Sequence, residues 1–441
     1  MNNFQTILVA IFLSFFVFAV LIFSGMIKIG GISGGDGKAS GKVVIWGTFP
    51  NSVVKNSLDT ISAANRNVNL NYKSHDALNY QQDLIEAFAN GVGPDLFIIT
   101  PDMIQKNNNF IYKIPFASYP EKTFTDLYID GASIYLDTDG VVAMPLVVDP
   151  IVMYFNKDIL TNEGIIIDPN KNFSWDELFP LNSTLTKRDN IGTISQSMIA
   201  LGQYGNVNNA KDIVATLLVQ NNNPIVERSE TGYNSILSSN VYNYTVSPIE
   251  SVLKFFVEFS NPTNTAYSWN SALPNSLDMF TKSKLAFYIG RASELFNIQN
   301  INHNLSFDVT QIPQIKDTTM KRTYGEIYAI AVSKKSTNLT SAFQIAGELS
   351  QGDSAKSISV ETSLPPASKA LLISEKPIGL GSNFMSIFFN SALISRSWID
   401  PDKSQSNLIF GEMVENLLSN RLSMGESISR ANDQLQLLLN K

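Results

Sequence analysis

The sequence predicts an α/β protein of more than one lobe, and three observations carry that expectation. The chain has 441 residues, more than one ordinary hydrophobic core organises. Between Lys42 and Ile99, apolar runs of strand length alternate with runs of helical period, the pattern of a parallel sheet covered by helices. Between Ala143 and Leu160 the sequence AMPLVVDPIVMYFNKDIL reads as two buried strands separated by a proline-bounded crossing.

Each element has a local cause. Lys42–Trp46 (KVVIW) is a short apolar strand, Gly47–Pro50 a turn, and Asn51 opens a helical stretch to about Asn65. Val68–Tyr72 alternates as a second strand, and Tyr80–Ala89 carries apolar residues at helical spacing. Gly91-Val92-Gly93-Pro94 stops that helix, Asp95 reads as a scaffold residue bonding nearby backbone, and Leu96–Ile99 forms a third strand. In such sheets ligands bind beyond the carboxyl ends of the strands. Trp46 to Phe49, His75 with Asp76, and Thr100 to Asp102 stand at such ends. At the crossing, Pro145 and Pro150 lack backbone donors and do not suit the interior of a central strand. The segment reads either as a passage between lobes, with Asp149 facing the cleft, or as strand, loop and strand of one sheet.

Composition excludes several classes. The formal charge of −7 offers no basic footprint for nucleic acid. No cysteine is present, which excludes disulfides, thiolate zinc sites, iron–sulfur clusters and cysteine nucleophiles, and with them a cysteine-linked lipid anchor. His75 and His303 are the only histidines, and neither stands in a metalloprotease or triad-like context. Gly31-Ile32-Ser33-Gly34-Gly35 matches a nucleophile-elbow pattern but sits in a glycine-rich run with no flanking strand or helix. Asp168–Asn172 begins like a calcium loop, but Phe173 occupies the glycine position. The expectation is no catalytic residue, no metal and no cofactor. Residues 1–27 carry no charged side chain, and Ile7–Phe23 is apolar apart from Ser14, about 20 residues with its flanks, the length of a membrane-crossing helix. The segment is expected to be an uncleaved single-pass anchor, followed by a Gly/Ser-rich tether at 28–41.

The chain resembles the extracellular solute-binding proteins of ABC importers, in particular their large sugar-binding, maltose-binding-protein-like group. The resemblance rests on an ordered set of segments: KVVIWGTFP near the start, GVGPDLFI, AMPLVVDPIVMYFNKDIL, NFSWDEL, FTKSKLAFYIG, YGEIYAIAVSKKS and the closing run from Ser419 to Leu437. It implies a type II periplasmic-binding-protein fold: two α/β lobes of discontinuous chain that close by hinge rotation. The implied crossings lie near Pro145–Pro150, near Asp308–Pro313, and between Gly352 and Pro366. Lobe one is then 42–146 plus 312–357, and lobe two 147–311 plus 358–441. Ser174, Trp175 and Glu177 read as a capping box, a structural feature.

A sugar is held by aromatic faces and by carboxylates and amides that take hydroxyl protons. Asp149 and Asp102 match acidic contacts of sugar-binding relatives. Trp46, Thr48 and Asp76 end strands where a cleft would open. Tyr204 and Asn208 lie in a second-lobe loop that carries contacts in relatives. Trp269 occupies a long irregular stretch. Arg291 stands where relatives place a stacking aromatic, a change that points toward an anionic or very polar ligand. Tyr324 and Trp398 complete the candidate set. The resemblance implies a monomer at the cell membrane, with an extracytoplasmic domain that captures a small polar solute, a sugar or oligosaccharide, for an ABC permease. The rivals are a membrane-anchored sensor or adhesin on the same scaffold, and an extracellular glycoside-processing enzyme.

Overall fold

The computed structural model describes residues 39–171, 173–229, 232–240, 245–374 and 382–440. The expected anchor at 1–27, and the expected tether as far as residue 38, lie outside the described residues. Among the described residues no helix is long and apolar enough to cross a membrane.

The first 60 described residues follow the expected alternation. Strand β1 (Gly41–Gly47), helix α1 (Asn51–Ala64), strand β2 (Val68–Ser74), helix α2 (Tyr80–Ala89) and strand β3 (Leu96–Ile99) follow one another. β1 pairs in parallel with both β2 and β3. Asp95 is scaffold, as its place before β3 implies: its Oδ2 accepts from the Val44 amide at 2.8 Å and its Oδ1 from the Ser336 hydroxyl at 2.6 Å. Ser174 caps its helix through the expected box with Glu177.

The AMPLVVDPIVMYFN segment corrects the two-strand expectation. It is one strand, β4 (Met144–Asn156), buried at every position. The ladder shows how it tolerates two prolines. Next to Pro145 the register slips, because Tyr328 faces Val147 and Ala329 faces Pro145. Leu146 is therefore an extra residue, and its carbonyl accepts from the Ala367 amide instead; prolines are found at such bulges. Pro150 lies where the neighbours on both edges change. β4 pairs with β8 (Thr323–Val332) from Met144 to Pro150, and from Ile151 onward with β6 (Leu285–Arg291) and β7 (Phe307–Gln311). One continuous strand thus serves two halves.

The resulting ten-stranded sheet runs β2–β1–β3–β8–β4–β6–β5, where β5 is Ile194–Ile199, and ends on Lys187–Arg188. β1, β2, β3 and β8 form the first lobe's part, and β5, β6 and β7 the second's. On the first lobe, helices α4 (Leu339–Leu349) and α5 (Gly352–Thr362) pack against α1. On the second, helix α3 (Ala210–Gln220) is buried on all sides, its polar residues Lys211, Asp212, Thr216 and Gln220 included. Helices α6 (Lys403–Leu418) and α7 (Met424–Leu439) pack on each other, and α6 also packs on α3.

The third crossing also differs from expectation. α5 remains against α1, Pro365 and Ala367 bond the backbone of Val148 and Leu146, and Lys369 pairs with Asp130. Residues 358–369 therefore stay with the first lobe. The proline pair at 365–366 marks the edge of β4 and not a departure from it.

Gly325 sits in β8 opposite Pro150, at the point where β4 changes neighbours. A Cβ there would lie 2.7 Å from Ser395 Oγ and 3.1 Å from Val148 Cγ1, and the Ser395 hydroxyl is held by the Ser391 carbonyl at 2.9 Å. Gly325→Val in the full-length protein, purified in mild detergent, is expected to cost about 1–3 kcal/mol. Urea denaturation checks this; an unchanged midpoint would mean that the crossing is loosely packed.

Candidate ligand-binding cleft

The change of neighbours along β4 places charged side chains where the lobes meet. Asp149 lies directly opposite Glu326, and Ile151 directly opposite Arg291. Opposed residues share a face, as do residues two apart, so Asp149, Arg291, Glu326 and Tyr328 all project from one face at the crossing. The first turn of α3, which follows a left-handed Asn209 at φ 58°, brings Lys211 and Asp212 to the same place. The start of α6 brings Lys403.

Arg291 is the hub. Its Nε and Nη2 lie 2.9 and 2.7 Å from Asp212 Oδ2, its Nη1 donates to Glu326 Oε2, and Asp149 Oδ2 lies 3.9 Å away. Glu326 takes a second cation, Lys403 Nζ, at 2.7 Å. Asp149 accepts from the Ser293 amide at 2.9 Å and from its hydroxyl at 2.6 Å. Behind this network Lys211 pairs with Asp400 at 2.6 Å and donates to Ser406 at 3.0 Å.

The two carboxylates opposite each other respond differently to burial. Burial pushes Asp149 up to about 6; Arg291 and the Ser293 bonds pull it only part of the way back, and Glu326 adds to the rise. Burial alone would raise Glu326 too, but Arg291 and Lys403 outweigh it and hold that carboxyl at about 2. Asp102 is raised, chiefly by burial, against the opposing bond from Thr100.

Two adjoining cavities open on this cluster. The larger, about 700 Å³, is lined by Asp149, Tyr204, Asp212 and Arg291 among others; the smaller, about 190 Å³, by Thr48, Tyr80, Thr100 and Asp102. Glu326, Tyr328 and Lys403 line both, so the Lys403–Glu326 pair stands between the chambers. Of the candidates from sequence, Asp149, Tyr204 and Arg291 meet in the larger chamber, and Thr48 and Asp102 in the smaller.

The other candidates are elsewhere, for identifiable reasons. Trp269 is fully buried, with its indole N–H on Asn206 at 3.0 Å, and Trp398 is buried against Phe410. Trp46 is buried with its ring centroid 4.2 Å from that of His75. Tyr324 is buried behind Arg291, whose guanidinium lies 5.9 Å from its ring. Asp76 is an exposed turn residue that accepts from the Leu78 amide at 2.8 Å. Asn208 accepts from Ser276 and from the Leu277 amide at 3.1 Å. The Arg291 guanidinium, expected to favour an anionic or very polar ligand, already has three carboxylates around it.

Glu326, Lys403, Asp212, Ser293 and Tyr328 were not among the candidates. Two signals could have found some of them. Glu326 is a lone charge inside the apolar strand run YGEIYAIAV, and Lys211-Asp212 are the only charges at the head of the apolar run AKDIVATLLV; charges there must have buried partners.

A family model described as bacterial extracellular solute-binding protein matches residues 57–377. Among solved structures, the cyclic alpha-maltosyl-1,6-maltose binding protein from Arthrobacter globiformis is similar with a TM-score of 0.71 at 14% identity, over 91% of this chain and 99% of that one. The sugar-binding protein MalE from the phytopathogen Xanthomonas citri gives 0.70 at 11% identity, over 91% and 98%. A cyclo/maltodextrin-binding protein complexed with maltotetraose gives 0.70 at 14%, over 90% and 96%. At these identities the likeness is one of fold. No curated protein matches the chain in sequence.

The raised Asp149 carboxyl has a consequence for stability. Its folded value, about 6, exceeds the unfolded 3.8, so the folded state binds the extra proton. The stabilisation is complete at low pH and is lost as pH rises from about 4 through 6, by about 3 kcal/mol for a fully buried group. Asp149→Asn removes this titration. Relative to wild type, the variant is expected to be about 2–3 kcal/mol more stable at pH 7.5 than it is at pH 4, measured by denaturation at both values; a pH-independent difference would contradict the assignment.

Proposed function

The chain belongs to the bacterial extracellular solute-binding proteins, and from that premise we propose that it is the substrate-binding component of an ABC import system. It captures a small polar solute, a sugar or oligosaccharide, between its lobes and delivers it to a membrane permease. Residues 1–27 hold it at the membrane as a monomer, with the binding domain on the extracytoplasmic side. It binds without chemical turnover.

The observation that carries this reading is the cavity of about 700 Å³ at the crossing. It has the size of ordinary small-molecule sites, roughly 300–1,000 Å³. Hydrogen-bonding side chains converge on it from both lobes: Arg291 and Asp212 from the second, Glu326 and Tyr328 from the first. A solute that touches both lobes at once binds the closed form better than the open one, and that difference drives closure. The cyclo/maltodextrin-binding protein is complexed with maltotetraose and the Arthrobacter globiformis protein binds cyclic alpha-maltosyl-1,6-maltose, which supports hydroxylated solutes over other classes.

A thermal-shift screen of the full-length protein against mono- and oligosaccharides, peptides and polyamines tests the reading. A sugar present at about 100 times its Kd adds close to 2.7 kcal/mol of native stability, so a clear rise in melting temperature is expected. Asp149→Ala is expected to weaken that sugar about tenfold or more, the loss of one charge-assisted contact. If only peptides raise the melting temperature, or the variant binds as wild type does, the reading falls.

A further inference from the structure

The charge left over in the cleft specifies the solute further, on the premise that the cleft is the binding site. Around the two chambers stand five carboxylates, Asp102, Asp149, Asp212, Glu326 and Asp400, and three cations, Lys211, Arg291 and Lys403. Two carboxylates are in excess. All three cations are engaged: Lys211 by Asp400, Lys403 by Glu326, and Arg291 by Asp212 and Glu326 with Asp149 alongside. The helix starts that face the cleft carry acids of their own: Asp212 lies in the first turn of α3, and Asp402 caps α6. Nothing here is left to receive an anion.

Acceptor capacity, by contrast, is left over on the cavity side. Asp212, with only 7% of its side chain exposed, places Oδ2 on Arg291, while its Oδ1 has no hydrogen-bond partner among the described residues and its side chain lines the larger chamber. Asp102 gives Oδ1 to the Thr100 hydroxyl at 2.6 Å and has no partner on Oδ2. The Tyr328 hydroxyl, whose residue lines both chambers, makes no hydrogen bond among the described residues. These oxygens face the cavity beside a surplus of negative charge, and a bound cation would be attracted to them. No three acidic or histidine side chains among the described residues converge to hold a metal ion. A compact, multiply donating ammonium fits better, because it can bond several oxygens spread around a cavity.

We propose that the cleft takes a hydroxylated solute bearing a free amine, an amino sugar or amino-sugar oligomer, whose ammonium sits among the carboxylates around Arg291 while Tyr328 serves its hydroxyls. Neutral and anionic sugars are selected against, since they leave the excess carboxylates unanswered. As pH falls through about 6 the cleft takes up a proton at Asp149. The groups facing that carboxyl are Arg291 and Ser293 from β6 and the turn after it, Glu326 and Tyr328 from β8, and Tyr154 from β4 itself. An arriving ammonium displaces the proton.

Isothermal titration of the full-length protein in mild detergent tests this with matched sets. Each set holds a free-amine sugar, its N-acetylated form, the neutral parent and the corresponding uronic acid, in gluco, galacto and manno configurations, as monomers and short oligomers. In the configuration that binds, the free amine is expected to be at least about tenfold tighter than the other three. Its advantage shrinks from pH 7.5 to pH 5, and binding at pH 6 releases protons, seen as a dependence of the heat on the buffer's ionisation enthalpy. A neutral or acetylated member that binds as tightly as the amine, or a preference for the uronic acid or for added calcium, overturns the amine assignment and leaves sugar binding standing. Failure of every member in every configuration overturns both.

Discussion

The cleft depends on Arg291 remaining paired. A guanidinium at the meeting of two lobes, with 12% of its side chain exposed, is tolerable only because Asp212 and Glu326 satisfy it at close range with Asp149 beside it. Removing one partner of such a buried set commonly costs about 3–5 kcal/mol, because the other charges are left unanswered. The residues also come from different places. Arg291 ends a second-lobe strand, Glu326 stands on the first-lobe strand opposite Asp149, and Asp212 opens a buried helix. The network therefore defines the relative position of three elements and sets the shape of the cavity they enclose.

That position is possible because β4 does not break. A strand buried on both faces and hydrogen-bonded on both edges cannot easily carry two prolines, and it succeeds here by placing one at a bulge and the other at a change of neighbours. The lobes thus share a continuous backbone support. Polar contacts farther out join the lobes at the rim: Lys106 with Asp402 at 2.8 Å, Gln105 with the Leu439 carbonyl at 2.5 Å, and Asp137 with Arg228. The rim ion pairs are partly exposed, so each is worth about 1 kcal/mol or less. These contacts and the Lys403–Glu326 pair cross between the lobes as side-chain bonds, whereas β4 crosses as continuous backbone.

Much of this was legible from sequence. The alternation from Lys42 to Ile99, the scaffold role of Asp95 and the capping box at Ser174 follow from local patterns whose physics is complete within a few residues. Asp149 was legible as a site candidate from its place at a proline-bounded crossing and from the family resemblance, and Arg291 from the resemblance alone. The failures share one cause. Trp269, Trp398, Trp46 and Tyr324 have the chemistry of a sugar platform, yet an aromatic in an irregular stretch is as readily a core residue, and only tertiary packing separates the two cases. Glu326 and Lys403, 77 residues apart in sequence, meet through the third dimension alone. The continuity of β4 was hidden because its prolines are accommodated by a bulge against, and a change of pairing with, strands more than 130 residues away.

The claim on which the rest stands is that Arg291 and Glu326 are energetically one unit joining the lobes. A double-mutant cycle with Arg291→Met and Glu326→Gln, read as unfolding free energy of the full-length protein at pH 7.5, measures it most directly. A coupling of about 2 kcal/mol or more is the result this account predicts. Additive effects, within about 0.5 kcal/mol, would contradict it.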